Sequence, residues 1–228
     1  MLYTQQAARD NIRNRDGKRV FYLGKGDQLT AEARDYLTAQ RVPILPAEQA
    51  KPEAYRLLSG GTLTEKPEHM THLSGDILVP KTHPRIAFRG AMDTLESEII
   101  LCQLACDPET RKSLDEVLGF ARRLLRCEVL DEPVPPQTLC GLTAQAIREH
   151  SHRPQDYYGQ PHFMPKYTDG EAIARLNRCR CAAREAERQA AAAFRDREGN
   201  PTREDLLQAM NRLSSMLYIL MIRQKRSG

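Results

Sequence analysis

From Pro84 onward, apolar residues recur at intervals of three and four, the period of helices that bury one face. The pattern predicts helices over about Pro84–Ala105, Pro108–Leu130, Thr143–His150, Asp169–Arg195 and Thr202–Lys225. Asp131-Glu132-Pro133 breaks the second, and Gly199-Asn200-Pro201 stops the fourth and restarts the fifth. Short connections between long helices make neighbours antiparallel, so the expected fold is mainly α, a five-helix bundle. Before Pro84 the pattern changes. Arg19–Leu23 reads as a strand, Gly24-Lys25-Gly26-Asp27 as a turn, Thr30 as the cap of a helix to Gln40, and Val42–Leu45 as a second strand. This small α/β unit is too short to hold a core alone. Residues 1–17 are polar, and residues 46–84 are rich in Pro and Gly, with a short strand at Asp76–Val79. The expected division is residues 1–60 for the small N-terminal β-α-β unit and linker, and 61–228 for the bundle.

Two stripes abut on the fourth helix. Ala172, Leu176, Cys179, Ala183, Ala186 and Ala190, spaced 4, 3, 4, 3 and 4 apart, form the apolar one. Beside it run Asn177, Arg180, Arg184, Glu187 and Arg188, while Arg175, Arg178, Glu185 and Gln189 point outward. Arg180, Arg184 and Arg188 repeat a like charge at i, i+4, which is mildly destabilising on a helix. Arg180, Arg184 and Glu187 are thus expected at the edge of the buried face, where desolvated charge needs a partner. That partner is either a salt-bridge ladder along the helix or a bound anion such as a phosphate chain. The second half of the fifth helix, Met216–Ile222, is apolar all round and reads as buried. Its stripe Leu206, Met210, Leu213, Leu217 and Leu220 is core, and Asn211, Ser214, Ser215 and Tyr218 form a polar face opposite. Such a face serves an interhelical hydrogen-bond network or a polar ligand.

Composition narrows the classes. A chain of 228 residues with no Trp and a net charge of +4 is too weakly basic to argue for nucleic acid or membrane as a partner. No apolar run reaches a membrane span and no signal-peptide stretch opens the sequence, so a cytoplasmic protein is expected. The six Cys form no Cys-x-x-Cys pair and are expected as thiols. His69/His72 and His150/His152 sit at loop or helix-end positions, so no metal-ligating residue is assigned. Gly24-Lys25-Gly26 lacks the full phosphate-loop spacing and is read as a turn.

Other segments carry candidate chemistry. Lys81 and Arg85 flank the start of the first long helix, where first-turn amides and the helix dipole favour anions. Arg85, Arg89, Asp93 and Glu96 share one face of that helix. Asp93 and Glu96 could pair with Arg180 or Arg184, and Arg89 with Asp93. Residues 153–168 form an aromatic loop with Tyr157, Tyr158, Phe163 and Tyr167.

Four blocks then read together: Thr71-His72-Leu73 with Lys81-Thr82-His83-Pro84-Arg85 through Asp93; Asp131-Glu132-Pro133; Arg180 to Arg188; and Asn211-Arg212-Leu213-Ser214-Ser215. From about Lys66 to Ile222 the chain resembles the corrinoid adenosyltransferases, in particular the ethanolamine-utilisation branch, EutT, related to the PduO type. The resemblance implies a five-helix bundle of that type with a phosphate-binding loop at the start of residues 61–228. It implies transfer of the 5′-deoxyadenosyl group of ATP, with Mg2+, to cob(I)alamin, giving adenosylcobalamin for ethanolamine ammonia-lyase. Arg180, Arg184 and Glu187 match the family's residues at the nucleotide site, and Lys81, Arg85, Arg180, Arg184 and Asn211 are the implied ATP ligands. Asp93 matches an acid that salt-bridges to the Arg180-type arginine of a neighbouring subunit. Phe163, with Tyr157 or Met164, is the implied corrinoid-binding wedge that displaces the lower axial ligand of cobalt. Implied partners are copies of itself, in a homotrimer or other homo-oligomer with the site between subunits, and the ammonia-lyase with its reactivase. The implied location is the cytoplasm, inside or attached to a bacterial microcompartment.

Two departures qualify the match. Some EutT-type enzymes carry a Cys-Cys-x-x-Cys cluster upstream of this core, but residues 46–69 contain no Cys, which implies a metal-independent variant. PduO-type enzymes have a longer Thr-Gly-Asp phosphate loop, which Leu73-Ser74-Gly75-Asp76 matches only faintly. Rival classes are a non-catalytic cobalamin carrier or microcompartment scaffold, and a nucleic-acid-binding bundle. Glu187 embedded in the arginine stripe counts against the last, because tracking phosphates favours an exposed basic face.

Overall fold

The computed structural model describes residues 1–15, 17–50, 54–136 and 138–227. The chain forms two compact units, Met1–His83 and Pro84–Gly228.

The first unit holds the short strands and two helices: β1 (Leu2–Tyr3), α1 (Gln5–Asp10), β2 (Arg13–Arg15), β3 (Lys18–Leu23), β4 (Gln28–Leu29), α2 (Ala31–Ala39), β5 (Ile44–Pro46), β6 (Tyr55–Leu57), β7 (Thr62–Leu63), β8 (Met70–Ser74) and β9 (Ile77–Pro80). β3 pairs in parallel with β5, Phe21 opposite Ile44, with α2 as the crossover. Thr30 caps α2, its hydroxyl accepting from the Ala33 amide at 3.2 Å. Contrary to expectation, this part has its own small cluster: Ala8, Ile12, Phe21, Ala33, Leu37 and Val42 are buried together. A second sheet runs β7-β6-β9-β8. Because β6 pairs with both β7 and β9, the strands on either side of residue 60 share one sheet, and the units divide after His83 instead. The faint phosphate-loop match at Gly75-Asp76 is the β8–β9 turn. Gly75 has φ +55° and a Cβ there would lie 2.8 Å from the Asn14 carbonyl oxygen, so glycine is required by the turn and the close approach. The Asp76 carboxylate accepts two 2.8 Å bonds from Arg56, which hold its pKa below the usual carboxylate range.

The second unit is helical, so the whole chain is mainly α with some strands, as expected. Its helices are α3 (Pro84–Gln103), α4 (Pro108–Val129), α5 (Ala144–His152), α6 (Pro154–Tyr158), α7 (Glu171–Ala193) and α8 (Glu204–Ser227). The short α6 falls within the stretch read as loop; Pro154 starts it and Gly159, at φ 63°, ends it. Asp107 caps α4, its carboxylate accepting from the Glu109 and Thr110 amides at 2.9 and 3.0 Å. α7 packs against both α3 and α8. The small residues Cys179, Ala183, Ala186 and Ala190 are fully buried and let those backbones approach closely. Met216, Leu217, Ile219, Leu220, Met221 and Ile222 of α8 are all buried, as the sequence pattern required. Among the described residues no helix is long and apolar enough to cross a membrane.

Candidate functional site

The polar stripe of α7 meets the polar face of α8. Asn211 donates from Nδ2 to Glu187 Oε1 at 2.9 Å and accepts at Oδ1 from Arg212 Nη1 at 2.6 Å. Two turns back on α7, the Arg180 guanidinium lies over the Tyr218 ring at 5.4 Å and donates weakly to Asn177 Oδ1 at 3.5 Å. Arg180 and Glu187 are half-buried, at the edge of the packed face. Arg184 is exposed instead, and so departs from the edge-of-core expectation. On a helix it stands about 100° round from Ala183, whereas Arg180 and Glu187 stand only about 60° and 40° away. Its side chain has no hydrogen-bond or ion-pair partner among the described residues. The salt-bridge ladder along the stripe is confined to its outer side: Arg175 pairs with Glu171 and Arg188 with Glu185.

Tyr218 anchors the aromatic loop. Its hydroxyl lies 2.8 Å from His162 Nδ1, and His162 Nε2 lies 3.2 Å from the His152 carbonyl oxygen. A carbonyl only accepts, so Nε2 carries the proton, and in the neutral ring Nδ1 accepts from the tyrosine. The two rings also stack at 5.7 Å. Next in the chain, Phe163 packs against the core cluster with Lys225 over its ring at 5.8 Å. Lys225 in turn pairs with Asp169 at the start of α7 and lowers its pKa. Met164 is 83% exposed and Tyr157 stacks on His150 at 3.8 Å, so of the three candidate wedge residues only Phe163 is packed into the bundle. Sequence reasoning missed His162 as the loop's anchor. A histidine one residue before a candidate aromatic was the available signal.

The face of α3 rearranges the expected pairs. Glu128, fully buried on the last turn of α4, accepts from Arg85 Nε at 2.5 Å and Arg89 Nε at 2.7 Å, and its carbonyl accepts from Arg85 Nη2 at 2.9 Å. Arg89 therefore bonds Glu128 rather than Asp93, because a buried carboxylate demands charge compensation and an exposed one does not. Glu96 pairs with Arg122 at 2.9 Å, not with Arg180 or Arg184. Asp93 is exposed, and its carboxylate has no partner among the described residues. Lys81, on the turn after β9, is exposed in the first unit. The structure thus pairs Glu187 with Asn211 and, two turns away along the same seam, Arg180 with Tyr218, ties Arg85 to Glu128, and leaves Arg184 and Asp93 facing outward.

The model of the cobalamin adenosyltransferase family matches residues 62–224, and this chain belongs to that family. Two relatives named corrinoid adenosyltransferase EutT, from Salmonella typhimurium strain LT2 and Escherichia coli strain K12, are 33% and 32% identical to it over 183 residues, 80% of this chain and 68% of each relative.

Proposed function

We propose that this chain transfers the 5′-deoxyadenosyl group of ATP to the cobalt of cob(I)alamin, and that the adenosylcobalamin formed serves ethanolamine ammonia-lyase. The observation that carries the reading is the seam of Arg180, Glu187, Asn211 and Tyr218, lying within the segment that matches the family. The cobalt lone pair forms the Co–C5′ bond while the C5′–O bond breaks and the polyphosphate leaves as an anion. Cobalt(I) is itself the nucleophile, so no general base is needed. What the protein supplies is placement and charge. Arg184, exposed and unpartnered among the described residues, is the arginine that would meet the polyphosphate, with Mg2+ helping to neutralise its charge; Arg85 and Lys81 are the further ATP ligands that the family pattern assigns. Arg180 is stiffened by the Tyr218 face, which reduces the entropy lost when it grips a phosphate. Glu187 holds the Asn211 amide in one orientation, so Asn211 presents a fixed hydrogen-bonding edge to the nucleotide. Phe163, pinned by His162 and backed by Lys225, is the apolar wedge under the corrin, with Met164 and Tyr157 as cover. Asp93 meets the Arg180-type arginine of a neighbouring copy, which makes the working unit a homo-oligomer in or beside a bacterial microcompartment.

The test is direct. Protein, ATP, Mg2+ and reduced cobalamin are mixed, and loss of cob(I)alamin and gain of adenosylcobalamin are followed by absorbance. Turnover that is lost in Arg184→Ala supports the reading. No turnover, or turnover unchanged in that variant, sinks it, and ATP binding without turnover would favour a cobalamin carrier.

A further inference from the structure

A cavity opens beside the seam, with Arg212, the neighbour of Asn211, in its wall. Its volume is about 540 Å³, within the range of small-molecule sites, and its lining is largely apolar: Phe120, Val134, Pro135, Leu139, Ile147 and Ala209. Polar groups reach it from α8, where Arg212 contributes to the wall, and from α5 and the segment before it. Arg212 is 9% exposed. Among the described residues its guanidinium hydrogen-bonds the neutral Asn211 amide and forms no ion pair with a carboxylate. The acid in the lining, Asp205, is already engaged: Arg203 donates to it at 2.9 and 3.1 Å, and the Val134 amide at 2.8 Å. Burial, and then the nearby positive charge of Arg148 on α5, both oppose the charged form of Arg212, while Glu187 favours it. A buried guanidinium without a counter-anion is costly, and a bound anion would relieve that cost.

We propose that this cavity binds a small amphiphilic anion, an apolar aromatic or aliphatic body carrying one carboxylate or phosphate, with the anionic group on Arg212. The site is coupled to the seam, and in that respect it rests on the reading given under Proposed function. Arg212 donates to the same Asn211 whose amide Glu187 holds. An anion that draws Arg212 toward the cavity withdraws that donor from Asn211, and so alters how Asn211 meets ATP. By linkage, ATP alters the anion's affinity by the same factor.

The probes are phenylacetate and phenyl phosphate, which present the two anionic groups on one apolar body, with 2-phenylethanol as neutral control and inorganic phosphate as apolar-free control. Binding to the full chain is read by calorimetry. Both anions should bind at least about tenfold more tightly than either control, one charge-assisted contact being worth that much. Whichever binds more tightly identifies the anionic group preferred. Arg212→Gln should abolish the preference for anions. Should that variant not fold, Ala144→Trp, at an exposed lining position on the first turn of α5, fills the cavity mouth without touching the core and should abolish binding. Equal binding of phenylacetate and 2-phenylethanol, or undiminished binding in Ala144→Trp, would overturn the site. ATP affinity measured with the cavity full and empty should differ several-fold, and equal values would overturn the coupling. Binding of the anions to a chain that takes no ATP would leave the cavity standing and overturn the coupling along with the adenosyltransfer reading.

Discussion

At the scale of single residues, the outer and inner charges of the bundle do different work. Arg184 is exposed and meets no partner among the described residues, so replacing it leaves the fold almost untouched. Arg184→Ala should shift stability by less than about 0.5 kcal/mol, yet lower turnover by roughly 10²–10³, the usual effect of losing one preorganised charge on a leaving group. Melting curves and the cobalamin assay on the same sample separate the two. Glu128 is the converse. It is fully buried and bonds both Arg85 and Arg89. Glu128→Ala should cost about 3 kcal/mol in urea denaturation, because removing one partner strands the others. The arginines are partly exposed and can turn to water, which keeps the loss at the low end of the range for buried pairs. Asp205 supplies a pH dependence. Arg203's hydrogen bonds depress its carboxyl from 3.8 to about 2 in the folded chain. A depressed acid stabilises above its unfolded pKa, so this contribution is complete above about pH 4 and disappears as the pH falls toward 2. Urea midpoints across that window should fall less steeply for Asp205→Asn than for the native chain, and identical slopes would show that Arg203 does not hold the carboxylate.

At the scale of elements, the stripe of small residues on α7 is the feature on which the seam depends. Ala183 and Ala186 are fully buried where α7 meets its neighbours. Ala186→Leu should cost about 1–3 kcal/mol by overpacking, and should also weaken ATP binding, because pushing α7 from α8 stretches the 2.9 Å bond between Asn211 and Glu187. An unchanged nucleotide affinity in a destabilised Ala186→Leu protein would show that the seam does not depend on this spacing. This stripe was legible in the sequence, since a spacing of threes and fours needs no tertiary information, and so was the cap at Thr30. The long helices begin and end within a few residues of the expected positions, for instance Pro84–Gln103 against Pro84–Ala105. Strands β3, β5 and β9 fall on stretches the sequence marks as strands, but the other short strands were not legible. β7, with two residues, and β8 pair through the partner strands β6 and β9, and pairing is a non-local event that leaves little periodicity in so few residues. Glu128 was illegible for a related reason. A lone acid on an otherwise apolar helix face is buried only because α3 brings two arginines to it, and that meeting appears only in three dimensions. Arg184 was misplaced because a helical wheel gives direction but not the width of the arc its neighbours cover.

At the scale of the whole molecule, the outward-facing groups ask for a second copy. Asp93 and Arg184 lack partners among the described residues, and the end of α3 exposes Ile100, Leu101 and Leu104, the last 77% exposed. Scattered apolar exposure is ordinary, but three such residues within about one turn at the end of α3, with an unpaired acid two turns or more back on the same helix, fit a surface that another subunit covers. If the proposed site lies between copies, with Arg180 from one and Asp93 from the next, two defective proteins can repair each other. Asp93→Arg and Arg180→Ala should each abolish most turnover when made alone. Co-expressed in equal amounts and assembled at random, they place a native arginine against a native aspartate in roughly a quarter of the head-to-tail interfaces, and turnover should return to that fraction. A site built from one chain predicts no recovery at any mixing ratio, since every polypeptide then carries a defect. Light scattering on the same mixture fixes the number of copies. The recovered fraction would also measure how far one interface depends on its neighbours, because a closed ring that needs all its sites intact would recover much less than a quarter.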